Sequence, residues 1–197
     1  GEGYVKRQVD GWSARYRKAR THGVRHGTGS FEKVMAWLDE HQPHDVGNCL
    51  IHNDFRFDNL VLAHDDPTRV IGVLDWEMAT LGDPLMDLGG ALAYWVQADD
   101  DRIMRGSRRQ PTHAPGMLTR DEVWQYYAHA SGRAISPKDQ LFYEIFGLFR
   151  LAVIAQQIYY RYANGQTSNP AFKQFRGMVI YLEWRCRRLM RRAGRLS

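Results

Sequence analysis

Apolar residues recur along this chain with two different periods. Near the start, Val5, Val9, Trp12 and Tyr16 return every three or four residues and form one stripe of a helix. A Gly- and His-containing break, His22 to Gly29, leads to a second helix capped by Ser30, with Phe31, Val34, Met35 and Leu38 on one side. Between Asn48 and Asp87 the rhythm changes to short apolar runs: Cys49-Leu50-Ile51, Leu60-Val61-Leu62 and Val70-Ile71-Gly72-Val73-Leu74. The last two flank the turn Asp65-Asp66-Pro67-Thr68 and predict a small β-hairpin. Gln97 to Met117 is polar and rich in Arg, Gly and Pro, and reads as an excursion loop. The helical period then returns. Thr119 and Glu122 form a capping box for a helix to Ser131. Ser136-Pro137 opens a long helix through Phe142, Ile145, Phe149, Ala152 and Ile158 toward Tyr162, ended by Asn164-Gly165. Asn169-Pro170 begins the last helix, which carries Phe172, Phe175, Val179, Leu182 and Leu189. The pattern predicts a mostly helical α+β fold with one small β element inserted early.

Composition narrows the class without changing that picture. The 197 residues are 44% hydrophobic and 25% charged, which excludes a disordered or fibrous chain and suffices for the core of one domain or one large lobe. The longest apolar run, Leu88 to Val96, is half of what crosses a bilayer, so no transmembrane helix and no membrane partner is expected. The opening residues hold no apolar leader segment, so no secretory signal is expected either. Cys49 and Cys186 stand far apart, which excludes a disulfide framework and fits a reducing, cytoplasmic location. The net charge is +5, carried by 22 Arg against 5 Lys. One Arg cluster lies between Arg102 and Arg109. The other, Arg185 to Arg195, reads as a solvated helix face whose cations suit the negative end of the helix dipole. Neither cluster comes with a nucleic-acid-binding motif, so nucleic acid is not expected as a partner.

The chemistry concentrates in the β element. His52-Asn53-Asp54-Phe55-Arg56-Phe57-Asp58-Asn59 has the form H-x-D-x-x-x-x-N, the pattern of a kinase catalytic loop. Phosphoryl transfer to a hydroxyl needs a carboxylate that takes or orients the hydroxyl proton, and Asp54 supplies one. It needs hard oxygen ligands for a divalent cation, and the Asn59 amide followed by a strand-end carboxylate, Asp75, supplies those. A hairpin between them would bring Asp75 back beside the loop. The plainer reading makes Asp54 and Asn59 turn formers and Asp75 a strand-end cap. Asp83 before Pro84 reads as a helix cap, and Trp76 and Trp95 as core.

These segments resemble a known family. His52 to Asn59, Val73 to Glu77 and Gly82 to Leu88 look like the aminoglycoside phosphotransferase and choline kinase group of the protein kinase-like superfamily. The run Asp66 to Pro84 and the segments Phe149 to Ile154 and Ile158 to Gln166 are similar, more narrowly, to the branch linked to acyl-CoA dehydrogenases. The resemblance implies the C-terminal lobe of a kinase-like fold over residues 1–197, using ATP and Mg²⁺. Within it, Asp54 is the catalytic base, and Asn59 and Asp75 are the metal and cofactor ligands. Arg56 is the catalytic guanidinium on the γ-phosphate. His52 shapes the loop, and Asp87, at a helix start, holds its backbone. Glu77, Arg150, Tyr160 and Arg161 are candidate substrate contacts, the arginines suiting an anionic acceptor.

A complete kinase also needs a Gly-rich loop, a strand Lys and a helix Glu that pairs with it. None is recognisable before His52, where the pattern is helical. The expectation is therefore that the nucleotide-clamping N-terminal lobe is absent from this chain, and that the chain alone binds ATP weakly and turns over little. For the acceptor, the dehydrogenase link implies a hydroxyacyl-CoA, whose phosphates Arg102, Arg105, Arg108 and Arg109 would meet, and association with a dehydrogenase. The alternatives are an aminoglycoside- or choline-type kinase lobe, and a non-catalytic pseudokinase acting as a binding module.

Overall fold

In the computed structural model, residues 3–21 and 28–195 are described. Most of the break expected at His22 to Gly29 lies outside them. The chain forms seven α-helices and four strands among these residues: α1 (Tyr4–Lys18), α2 (Glu32–Glu40), β1 (Cys49–Ile51), β2 (Leu60–Leu62), β3 (Val70–Val73), β4 (Thr80–Gly82), α3 (Pro84–Leu92), α4 (Arg102–Gly106), α5 (Arg120–Ser131), α6 (Pro137–Ala163) and α7 (Phe175–Ala193). The fold is mostly helical α+β, with short antiparallel strand pairs.

The core is built on α6. Thirteen of its residues are buried, Phe142, Ile145, Phe149 and Val153 among them, and α3 and α7 pack along it. Length and composition alone would let α6 cross a membrane, but two-thirds of its most apolar stretch is buried inside the protein, and that packing accounts for its hydrophobicity. The stripe Val5, Val9, Trp12 and Tyr16 faces the same core. No side chain of its own caps α1. Instead Asp45, from the loop after α2, accepts from the Tyr4 and Val5 amides at 2.8 and 3.0 Å. Ser136 caps α6 through the Asp139 amide, and Thr119 and Glu122 complete their capping box on α5.

The strands are nested. β1 pairs antiparallel with β4, in register Cys49↔Gly82 to Ile51↔Thr80. Inside that pair β2 meets β3, Leu60↔Val73 to Leu62↔Val70, with a bulge at Val61/Leu62. The Asp66 carboxylate closes the inner turn by accepting from the Thr68 amide and hydroxyl. The inner hairpin stands where the apolar runs predict it. β4 does not follow from the sequence pattern, because Thr80-Leu81-Gly82 is too short to show a period and exists through its pairing with β1.

Five local expectations change. Ser30 does not cap α2. Phe31 occupies the cap position in left-handed conformation (φ 50°), with its amide donating to Glu183 at 3.3 Å. The polar excursion contains a short helix, α4, capped by Asp101. Asn169-Pro170 opens a single 3-10 turn, and α7 starts at Phe175. Trp76 is 46% exposed and not core. The C-terminal Arg cluster is also divided: Arg187, Arg188 and Arg191 are exposed, whereas Arg185 turns inward to an ion pair.

Candidate active site

Nesting the two strand pairs sets two connecting loops face to face: 52–59 between β1 and β2, and 74–79 between β3 and β4. The Leu74 amide donates to the Asn59 carbonyl at 2.8 Å, extending the inner hairpin to the root of both loops. His52 fastens them from below. Its buried ring accepts the Asp54 amide on Nδ1 (3.2 Å), which leaves Nε2 carrying the proton and donating to the Leu74 carbonyl at 2.8 Å. The Trp76 indole lies over it, ring centroids 4.8 Å apart.

Asp87, in the first turn of α3, holds the loop backbone. Its Oδ2 accepts the His52 amide and its Oδ1 the Asn53 amide, each at 2.8 Å. Asn53 is held on every side. Its Nδ2 donates to the Met78 carbonyl at 3.1 Å, and its own carbonyl accepts from Arg150 at 2.6 Å. It adopts φ 65°, a conformation Asn tolerates better than most side chains. α3 itself starts from Asp83, fully buried, whose carboxylate accepts from the Val46, Leu85 and Met86 amides. Burial pushes the Asp83 carboxyl above its ordinary range, and those amides hold it back.

Above this frame stand the chemical groups. Asp54 Oδ2 pairs with Arg56 at 2.9 Å, both side chains about three-quarters buried. Its Oδ1 makes no hydrogen bond among the described residues. The Arg56 guanidinium lies 5.3 Å over the Tyr94 ring, and its Nε is buried without a partner. Asn59, also buried, donates Nδ2 to the Asp54 carbonyl at 2.7 Å, which turns its Oδ1 outward as an acceptor. Asp75 follows Leu74 directly, exposed and at φ 65°. An amide oxygen and a carboxylate are hard donors, and no group of three or more His, Cys, Asp or Glu that could hold a metal occurs among the described residues. Such a partial oxygen set fits Mg²⁺, which fills its remaining positions with water and phosphate.

His52, Asp54, Arg56, Asn59 and Asp87 are thus brought into one hydrogen-bonded constellation, and the hairpin returns Asp75 to its edge. Arg150 reaches it through Asn53. Glu77 lies exposed in the 3-10 turn that follows Asp75. Tyr160 and Arg161 lie about 15 Å further along α6 than Arg150, by helix rise. The sequence reading missed two groups that bear on the loop. Gln110, buried, accepts the Phe57 amide on its Oε1 at 2.9 Å, and Tyr94 underlies Arg56. Gln110 sits in a polar stretch some fifty residues away with no periodicity to mark it. Tyr94 falls within the apolar run Leu88 to Val96, where nothing in the pattern sets it apart.

Comparison with known proteins follows the same lines. Residues 2–123 match the model of the phosphotransferase enzyme family. The chain is 38% identical over 173 residues to mouse acyl-CoA dehydrogenase family member 10, and 36% identical over 182 residues to human acyl-CoA dehydrogenase family member 11. Those matches cover 87% and 91% of this chain, which spans only 15% and 22% of the two relatives. Among solved structures, a protein of Ralstonia eutropha JMP134 provisionally named an aminoglycoside phosphotransferase superposes with a TM-score of 0.72 at 30% identity, over 93% of this chain and 55% of that one.

Proposed function

Because the chain belongs to the phosphotransferase enzyme family, we propose that it supplies the catalytic-loop lobe of an enzyme that moves the γ-phosphoryl group of ATP, with Mg²⁺, onto a hydroxyl of a small molecule. The observation that carries this reading is the Asp54–Arg56–Asn59 cluster facing the Asp75 loop across a shared backbone hydrogen bond. Asp54 takes the proton of the attacking hydroxyl on its uncommitted oxygen. Asn59 and Asp75 are the residues that would hold Mg²⁺, which when bound neutralises charge on the phosphates. The Arg56 guanidinium, held beside Asp54, would offer its charge to the transferring group. His52 and Asp87 act by position: they fix the loop backbone so that the reacting groups are in place beforehand.

The acceptor is inferred from surface chemistry. Arg102, Arg105, Arg108 and Arg109 are all exposed, and Gln110, next in the chain, is pinned to the catalytic loop. Four exposed cations in the segment that leads into Gln110 suit a phosphate-bearing acceptor and disfavour a polycationic aminoglycoside. The relatives' name as acyl-CoA dehydrogenase family members adds weight to a hydroxyacyl-CoA, acted on in association with a dehydrogenase. Leu50 and Leu81, paired across β1 and β4, Ile71 on β3 and Leu74 just after it are each more than half exposed. Such exposed apolar side chains suit cover by a nucleotide-clamping lobe.

The test uses the longest natural protein containing this sequence, assayed for ATP-dependent phosphorylation of kanamycin, choline and a series of hydroxyacyl-CoAs. Turnover is expected with the hydroxyacyl-CoAs, and Asp54→Ala should lower it by about 10³-fold while leaving nucleotide binding intact. Undiminished turnover in that variant overturns the role of Asp54, and a preference for kanamycin or choline overturns the acceptor.

A further inference from the structure

Beside the catalytic loop, residues of α1 and α6 line a cavity of about 150 Å³ together with Asn53 and Met78. Its polar walls are Tyr4, Gln8, Arg15, Asn53 and Arg150, with Trp12 as an aromatic floor. Both guanidiniums lie against the same indole: Arg15 Cζ is 4.6 Å and Arg150 Cζ 5.4 Å from the Trp12 ring. The two cations are therefore within about 10 Å of each other, and among the described residues no carboxylate lines the cavity to separate them.

Arg150 is the telling residue. It is half-buried on α6, yet it makes no ion pair within 4.0 Å among the described residues. One nitrogen donates to the Asn53 carbonyl, and its Nε is buried without any partner. The carboxylate of the neighbouring Asp87 already accepts from two loop amides, one on each oxygen. Arg15 likewise forms no ion pair among the described residues. A partly buried guanidinium kept unpaired is costly unless an anion arrives to meet it, and a fork of N–H donors matches a carboxylate or phosphate.

We propose that this cavity is an anion subsite, in which Arg15 and Arg150 bind a carboxylate or phosphate group against Trp12. The Arg150–Asn53 bond links its occupancy to the backbone of the residue before Asp54. The group could be the anionic end of the phosphoryl acceptor, or a free anion that sets the loop. Only the first of these rests on the proposed transfer reaction.

Two measurements test it. In the first, Mg²⁺-free inorganic phosphate is titrated at constant ionic strength, against chloride, and thermal unfolding and calorimetry are followed. Saturable stabilisation is expected. It should weaken at least tenfold in Arg15→Gln, whose side chain is exposed enough to change without disturbing the core, and persist in the charge-matched control Lys173→Gln. No saturable response, or one equal in Arg15→Gln and the control, overturns the proposal whether or not the protein transfers phosphate. In the second, the active natural protein is assayed with an acceptor bearing a carboxylate or phosphate and with an uncharged alcohol. If the acceptor's own anion fills the cavity, Arg15→Gln raises KM for the charged acceptor about tenfold, with kcat little changed and the uncharged alcohol unaffected. If KM is unmoved while phosphate still binds, the occupant is a free anion.

Discussion

Asn53 shows how much of the site hangs on one residue. Its amide, carbonyl and side chain are bonded to Asp87, Arg150 and Met78, drawn from α3, α6 and the loop after β3. All three bonds require the chain to pass through φ 65° at this point. Gly adopts that conformation freely, so Asn53→Gly loses only the side-chain bonds to Met78 and Tyr4 and should change stability by about 1 kcal/mol. A β-branched residue pays the left-handed strain as well and loses the same bonds. Asn53→Val should therefore cost about 3 kcal/mol and displace Asp54, which adjoins it. Urea unfolding of the two variants measures the contrast; equal stability would mean that the backbone conformation imposes no constraint. The residue types at 52, 54, 59 and 75 were legible because the chemistry demands them at fixed spacing. What the sequence concealed was the set of long-range partners. No local pattern announces that Gln110 caps the Phe57 amide, that Asp45 caps α1, or that Arg150 reaches Asn53 from 97 residues away.

At the scale of elements, the site depends on how closely α3 and α6 cross. A Cβ on Gly147 would lie 2.1 Å from the Gly89 carbonyl oxygen, and one on Gly89 would lie 2.5 Å from that of Tyr143. The backbones thus touch. Asp87 stands two residues before the crossing on α3, and Arg150 three residues after it on α6, so the crossing sets the distance between the two groups that grip residues 52 and 53. Gly147→Ala should push the helices apart and destabilise the fold by about 3 kcal/mol, because the obstacle is backbone that no rotamer change can clear. Gly177 on α7 is the control: nothing stands within 4 Å of a Cβ there. Gly177→Ala should gain about 0.5–1 kcal/mol from helix propensity. Guanidinium unfolding midpoints moving in opposite directions is the expected result, and a common direction would refute the close-contact argument. Long elements such as α6 and α7 were legible because their apolar period repeats over several turns. The short ones, β4 and α4, were not, since three to five residues show no period and exist through a pairing partner or a single cap at Asp101.

Across the whole molecule, one buried carboxylate ties together parts of the chain that are distant in sequence. Asp100, in the loop after α3, accepts from Arg120 at the start of α5 at 2.7 and 2.8 Å, and from Arg185 on α7 at 2.7 Å, with its side chain only 4% exposed. Burial alone would raise its pKa. The Arg120 hydrogen bonds, the Gln97 amide and the charges of Arg120 and Arg185 outweigh it and hold the carboxyl down at about 2. A carboxyl depressed in the folded state stabilises the fold above its ordinary pKa near 3.8, and that stability fades as pH falls toward 2. The shift corresponds to about 2 kcal/mol. Asp100→Asn leaves two inward-facing guanidiniums without their counter-charge and should cost about 3 kcal/mol at pH 7. Since the wild type loses its own advantage on acidification, the gap between the two proteins should narrow by about 2 kcal/mol between pH 5 and pH 2. The buried carboxyl of Asp83 titrates in the opposite sense, raised by burial, but it is common to both proteins and cancels in the difference. Parallel stability-against-pH curves would mean that the Asp100 network does not hold α5 and α7 to the end of α3. Converging curves would identify it as the clasp that keeps the helical layer closed behind the catalytic loop.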